Sequence, residues 1–172
     1  MIRRIATAEC FTHGRVAGEI HAFSRGYPSR YLRTLDPKTC RLSIVAGLFI
    51  PTLSGVRSIL QVEPLRPVTV IDEIKIYDQY GDEEMALLMA EAARTLTGAD
   101  IGIGTSAGIG QGGIAVVSDG STLFGSSEIY ADLRRSDRAL IREREESGVT
   151  VALCLLERLL EEEDGGKPAN HA

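Results

Sequence analysis

Apolar positions along the chain follow two periods. Residues 2–9 are small or β-branched and read as a short buried strand. Strand signals return at 42–48, 56–62 and 68–77, with Pro64 and Pro67 separating the last two. Between 15 and 24 the spacing becomes helical: Val16, Ala17, Ile20 and Phe23 share one face, and Gly26-Tyr27-Pro28 stops the run. Residues 29–40 are polar and loop-like. The strongest helical stripe lies at 82–96, through Met85, Leu88, Met89, Ala92, Ala93 and Leu96. Asp82 is a suitable N-cap for it, Glu83 and Glu84 suit the positive end of the helix dipole, and Gly98 ends it. A strand at 99–104, a glycine-rich turn and a strand at 114–118 follow, and Asp119-Gly120 marks a hairpin into 122–130. A helical region spans 136–162, with Gly148 predicted as a kink or break. Strands alternating with helices predict one three-layer α/β domain over 1–160, with a mixed, largely parallel sheet flanked by helices. The acidic segment 161–172 reads as a disordered tail.

Composition narrows the functional classes. With 44% hydrophobic residues, 5% aromatics and no tryptophan, the core is predicted to be aliphatic. A net charge of −5 and the absence of a basic stripe argue against a nucleic-acid binder, but one small nucleotide needs only a local pocket. No apolar run reaches the length of a membrane span, and the opening residues are too quickly polar for a signal peptide, so a cytoplasmic protein is predicted. Cys10, Cys40 and Cys154 are odd in number and widely spaced, with no C-x-x-C pair, so neither a disulfide framework nor a protein-bound metal is indicated.

Two segments carry candidate chemistry. In the first, 7–14, Cys10 falls between a strand end and a helix start, where ligands gather in open α/β sheets. Helix-start N–H groups favour a thiolate, protonated His13 would add to that, and the Glu9 carboxylate would oppose it. The bland alternative is a structural cysteine beside an inert surface histidine. In the second, 102–113, half of the twelve residues are glycine, and Thr105 and Ser106 supply hydroxyls. It lacks the Gly-Lys-Ser/Thr of a P-loop, and it leads into a strand where a dinucleotide fingerprint opens a helix. An anion-binding backbone nest is the favoured reading, and a plain glycine-rich connection the other. On the nest reading, valine at Gly108 or Gly110 abolishes binding and leaves the fold intact. The acids Asp72, Glu73 and Asp78 read as a solvated edge, and Cys154 as core. Arg134, Arg135 and Arg138 read as a solvated face that could also reach a phosphate.

Resemblances enter at these segments. Ala8-Glu9-Cys10-Phe11-Thr12-His13-Gly14, 89–94, Gly98-Ala99-Asp100 and the glycine-rich turn resemble the C-terminal domain of the CinA family, the nicotinamide-nucleotide amidohydrolases, with Cys10 at the family's nucleophilic serine. No residue here matches that family's lysine. A closer resemblance, through 6–14, 49–54, 74–77 and 101–110, is to the methanogen family that includes HcgF, which acts in making the iron-guanylylpyridinol cofactor. That resemblance implies a CinA-like fold and a ligand, guanylylpyridinol, whose carboxylate arrives as an acyl-adenylate from an adenylating partner enzyme and passes to Cys10 as a thioester. It also implies ligand contacts from Glu9, Thr12, His13, Gly14, Gly104, Thr105, Ser106, Ala107, Gly108, Gly110 and Gly112. The expected partners are thus a guanosine-nucleotide conjugate and that enzyme, with a homo-oligomer left open. A nucleotide amidohydrolase and a non-catalytic nucleotide carrier are the competing readings.

Overall fold

The computed structural model describes residues 2–165. Strand β1 (Arg3–Glu9) leads to helix α1 (Arg15–Ser24), then β2 (Leu42–Phe49). A short helix, α2 (Leu53–Gly55), runs into a π-helical turn at Val56–Leu60. The hairpin β3 (Thr69–Ile71) and β4 (Ile74–Ile76) precedes α3 (Gln79–Thr97). Then come β5 (Ile101–Ser106), β6 (Ile109–Gly110), β7 (Gly113–Val117), β8 (Thr122–Gly125), β9 (Ala131–Asp132) and α4 (Arg138–Gly165). The central sheet has the order β2-β1-β5-β7-β8. β2, β1 and β5 are parallel, and β7 alone runs against its neighbours, so the sheet is mixed and largely parallel as predicted.

Alternation along the strands divides the core between two faces. Ile5, Ile101, Ile103, Ile114 and Val116 point toward α1 and α4, where Val16, Ile20, Phe23, Leu153 and Leu156 meet them. Ala6 and Ala8 point the other way, onto Met85, Met89 and Ala93 of α3. The α3 side uses alanines, and glycines where the approach is closest. A Cβ at Gly102 would lie 2.2 Å from the Ala90 carbonyl oxygen, and one at Gly104 1.9 Å from that of Ala86.

Several elements depart from the sequence pattern, among them the strand predicted over 68–77, which folds back at Asp72-Glu73 into the β3–β4 hairpin. Residues 53–60 are helical where a strand was predicted, because Thr52 caps the turn by accepting from Gly55 N at 3.1 Å and Val56 and Leu60, one turn apart, face the α3 core. The cap of α3 is Asp78, accepting from Gly81 N at 2.9 Å, and Asp82 sits inside the helix, fully buried. Helix α4 passes Gly148 without a break, because the missing side chain there makes room for the Phe11 ring. Residues 161–165 continue α4, with Glu163 paired to Arg3, and the remainder of the predicted tail lies outside the described residues.

Candidate functional site

Cys10 leaves the end of β1 with its backbone N–H shared between the Thr105 carbonyl at 3.0 Å and the Thr105 hydroxyl at 3.1 Å. The 7–14 turn and the start of the glycine-rich segment are thereby locked together. The Cys10 carbonyl accepts from His13 N at 3.3 Å, and the turn closes through two left-handed residues, His13 (φ 53°) and Gly14 (φ 79°). Glycine suits the second; His13 holds a conformation uncommon for a side-chain-bearing residue.

Cys10, 7% exposed, lines a cleft of about 340 Å³. Phe11, Phe49, Pro51, Ile74, Leu133 and Ile141 form its apolar walls, and Ala107, His13 and Arg144 complete the lining. His13 packs its ring edge-on against Phe49 at 5.2 Å, and its Nδ1 lies 3.1 Å from Glu145 Oε2.

Glu9 does not face this cleft. Its carboxylate accepts from Val16 N at 3.1 Å and Ala17 N at 2.9 Å, from the Thr12 hydroxyl at 2.7 Å and from the Thr7 hydroxyl at 3.0 Å. It thus caps α1 from one turn upstream and consumes the helix-start donors that the sequence pattern assigned to a thiolate at Cys10. Thr12 also meets the Thr105 hydroxyl at 2.9 Å. Glu9, Thr12, Thr105 and Ser106 are all buried, with polar partners inside the protein, so they frame the site rather than line it.

The glycine-rich segment also departs from expectation. Gly104 faces α3, and a Cβ at Gly108 would lie 2.5 Å from the Tyr77 carbonyl oxygen. One amide of the segment is taken by a carboxyl of the chain itself: Asp82 accepts from Gly108 N at 2.6 Å and from the Ser106 hydroxyl at 2.8 Å. The Gln79 side-chain oxygen takes the N–H groups of Gln111 at 2.8 Å and Gly112 at 3.1 Å. Gly110 (φ 133°) and Gly112 (φ 82°) serve the backbone turn. Valine at Gly108 therefore disturbs packing on Tyr77 first, contrary to the expectation of an intact fold. Burial pushes the Asp82 carboxyl up to about 7, against the lowering effect of its two hydrogen bonds and of nearby Arg144 and Lys75.

Two cations escaped the sequence reading. Arg144, 1% exposed, donates from Nη1 to the carbonyls of Ala131 (2.8 Å), Gly110 (3.1 Å) and Gly108 (3.2 Å), and from Nη2 to Ala107 (3.4 Å). Burial lowers its pKa from the usual arginine value. Arg-Glu-Arg-Glu-Glu around it looks like a solvated face; the available signal was phase, since 144, 148, 152 and 156 share one side of α4 and the last three are glycine, alanine and leucine. Lys75, 2% exposed, donates to the Ile50 carbonyl at 2.7 Å. The arginines singled out earlier stay outside the cleft lining: Arg134 pairs with Asp132 at 2.7 Å, and Arg135 and Arg138 are exposed. Asp72 and Glu73 make the β3–β4 turn, an exposed edge as predicted. Cys154, predicted as core, is exposed on α4, between the buried Leu153 and the half-buried Leu155. Cys40 is half-buried. Among the described residues no group of three or more His, Cys, Asp or Glu side chains could hold a metal ion, and no helix is long and apolar enough to cross a membrane.

The fold resembles solved structures of the CinA superfamily. A competence or damage-inducible protein from Enterobacter asburiae superposes with a TM-score of 0.57 at 19% identity, covering 92% of this chain and 87% of that one. The competence/damage inducible protein CihA from Agrobacterium tumefaciens gives 0.56 at 19% identity, covering 92% and 86%. At that identity the likeness concerns the fold alone. Sequence relatives are far closer. A UPF0254 protein of Methanocorpusculum labreanum is 54% identical over 156 residues, 91% of each chain. One from Methanothermobacter thermautotrophicus is 54% identical over 158 residues, 92% of this chain and 99% of that one. The family described as FeGP cofactor biosynthesis protein HcgF matches residues 1–160.

Proposed function

The chain belongs to the HcgF family of FeGP cofactor biosynthesis proteins, and on that footing we propose that it works through Cys10, which takes the acyl group of guanylylpyridinol into a protein thioester. The carboxylate arrives as an acyl-adenylate made by a partner enzyme. Cys10 Sγ attacks the carbonyl carbon, the carbon–oxygen bond to the adenylate phosphate breaks, AMP leaves, and the thiol proton passes to solvent. The observation that carries this reading is the position of Cys10, a thiol lining an apolar cleft at the carboxyl end of β1. Apolar walls exclude water and so protect an acyl–sulfur bond from hydrolysis. The turn after Cys10 leaves the N–H of the half-buried Gly14 without an acceptor among the described residues, which supports a backbone site for the tetrahedral oxyanion. Since α3 closes the glycine-rich turn, the guanosine half lies over the exposed rim made by His13 and Phe49. The iron chemistry belongs to the ligand.

Intact-mass analysis tests the proposal, with the protein incubated with guanylylpyridinol, ATP and the adenylating enzyme. The expected result is one adduct, removed by hydroxylamine at neutral pH, present in Cys40→Ser and Cys154→Ser and absent from Cys10→Ser. An adduct that persists in Cys10→Ser overturns the assignment. No adduct in any variant, with ligand still bound, overturns thioester formation in favour of a carrier.

A further inference from the structure

Arg144 is an almost wholly buried cation in the wall of the Cys10 cleft, and what holds it is unusual. All four acceptors of its guanidinium are main-chain carbonyls, from Ala107, Gly108, Gly110 and Ala131. Its Nε–H has no acceptor among the described residues, and no carboxylate hydrogen-bonds it. The acids nearby are occupied otherwise: Asp82 by Ser106 and Gly108, Asp132 by Arg134, Glu145 by His13 and Arg15. The remaining buried cation, Lys75, sits on the Ile50 carbonyl and does not line the cleft. Asp82 and Asp132 favour its charge at a distance and the Phe11 ring centroid lies 6.0 Å from its guanidinium carbon, but a buried charge hydrogen-bonded by neutral dipoles alone is costly, and those dipoles offset only part of that cost. Apolar walls on the same cleft keep water from screening it.

We infer that Arg144 makes this cleft an anion site, and that the group it receives beside Cys10 carries negative charge: a carboxylate or an acyl phosphate. The inference deepens the proposed function, on which its catalytic meaning rests, because an acyl-adenylate brings a phosphate and the attack creates an oxyanion. The selectivity itself belongs to the cleft and is measurable without that substrate. A purely architectural role is the competitor, in which Arg144 only ties the 107–110 loop to β9.

The probe is paired alkylation. In protein carrying Cys40→Ser and Cys154→Ser, Cys10 is the sole thiol, and its rates with iodoacetate and with neutral iodoacetamide are compared with those of a neutral small thiol. The expected ratio of iodoacetate to iodoacetamide exceeds that of the small thiol by at least about fivefold. Inorganic phosphate is expected to slow both reactions, and Arg144→Gln to return the ratio to the small-thiol value while Arg144→Lys retains part of it. A wild-type ratio at or below the small-thiol value overturns the inference, and this arm needs no variant of Arg144 to fold. A raised ratio that survives in folded Arg144→Gln also overturns the assignment to Arg144. Anion preference without a thioester on guanylylpyridinol would sink the proposed function alone. A thioester without anion preference would sink this inference alone.

Discussion

Replacing Asp82 by asparagine is expected to flatten the dependence of stability on pH. The buried carboxyl titrates at about 7 in the folded protein against 3.8 in its ordinary state, with burial as the main cause. Below pH 3.8 both folded and unfolded chains hold the proton, so the residue contributes no pH dependence. Between 3.8 and about 7 the unfolded chain has released its proton and the folded chain has not. The native state then binds more protons, and stability falls as pH rises. Above about 7 the loss is complete. At ~1.4 kcal/mol per pH unit, the difference between the two values corresponds to about 4 kcal/mol, as an upper figure. For a domain of this size that is on the order of 10 °C in melting temperature. Asparagine preserves the geometry: its oxygen can accept from Gly108 N while its amide donates to the Ser106 hydroxyl. The assay is urea unfolding of both proteins at half-unit intervals from pH 4 to 8. Groups of opposite sense, such as Glu146, whose pKa is lowered first by the Tyr31 hydroxyl and then by Arg15, cancel in the difference between the two curves. Parallel curves would refute the reasoning, since the difference must then owe nothing to titration of Asp82.

Gly104→Ala is expected to cost about 1–3 kcal/mol or more, read by urea unfolding, because the new Cβ meets the Ala86 carbonyl and the Ala90 amide of α3, which are backbone and cannot rotate away. Gly148→Ala places a Cβ 2.2 Å from Phe11 Cε2; the ring shifts within the cleft wall, and a bulky maleimide is expected to lose more rate at Cys10 than iodoacetamide does. Equal losses would mean that Phe11 relaxes away from the cleft. Glu9→Ala strips the α1 cap and leaves the Thr7 hydroxyl and two amides unpaired in the interior, an expected cost of about 2 kcal/mol or more by thermal or urea unfolding.

Local signals accounted for much of the fold. The span of α1 was legible residue for residue, since a helical stripe ends against Gly26-Tyr27-Pro28, and β1 was legible as a short run of small and branched residues. The 56–62 region was misread because Val56, Ile59, Leu60 and Val62 suit either period over so few residues; the cap at Thr52 was the deciding signal. Asp78 and Asp82, one helical turn apart, are equally good caps by residue type. Only the arrival of Ser106 and Gly108 against Asp82 decides which one is interior. The site divides the same way. Cys10 and the pairing of its turn with Thr105 follow from strand ends, which chain order reveals. What the glycines face, and where Arg144 ends up, depend on elements that fold in from elsewhere in the chain, and no local pattern encodes that.

The arrangement of charge around Cys10 bears on which chemistry the cleft suits. Each acid near the site is satisfied by donors of its own: Glu9 by the start of α1, Glu145 by His13 and Arg15, Asp82 by the glycine-rich turn. Arg144, by contrast, comes from α4, donates its hydrogen bonds only to carbonyls and lies over the Phe11 ring. A hydrolase of amides needs an attacking water and a base to take its proton; of the two basic side chains that line this cleft Arg144 cannot serve as that base, and His13 has its Nδ1 beside Glu145. An acyl transfer that ends at sulfur needs neither. It needs a nucleophile, a means of holding negative charge as the carbonyl is attacked, and walls that keep water from the product. On the proposals above, Cys10, Arg144 and the apolar ring of Phe11, Phe49, Pro51, Ile74, Leu133 and Ile141 would supply those three. Under the proposed thioester chemistry, the apolar walls of this cleft serve to keep an acyl group on Cys10 from water.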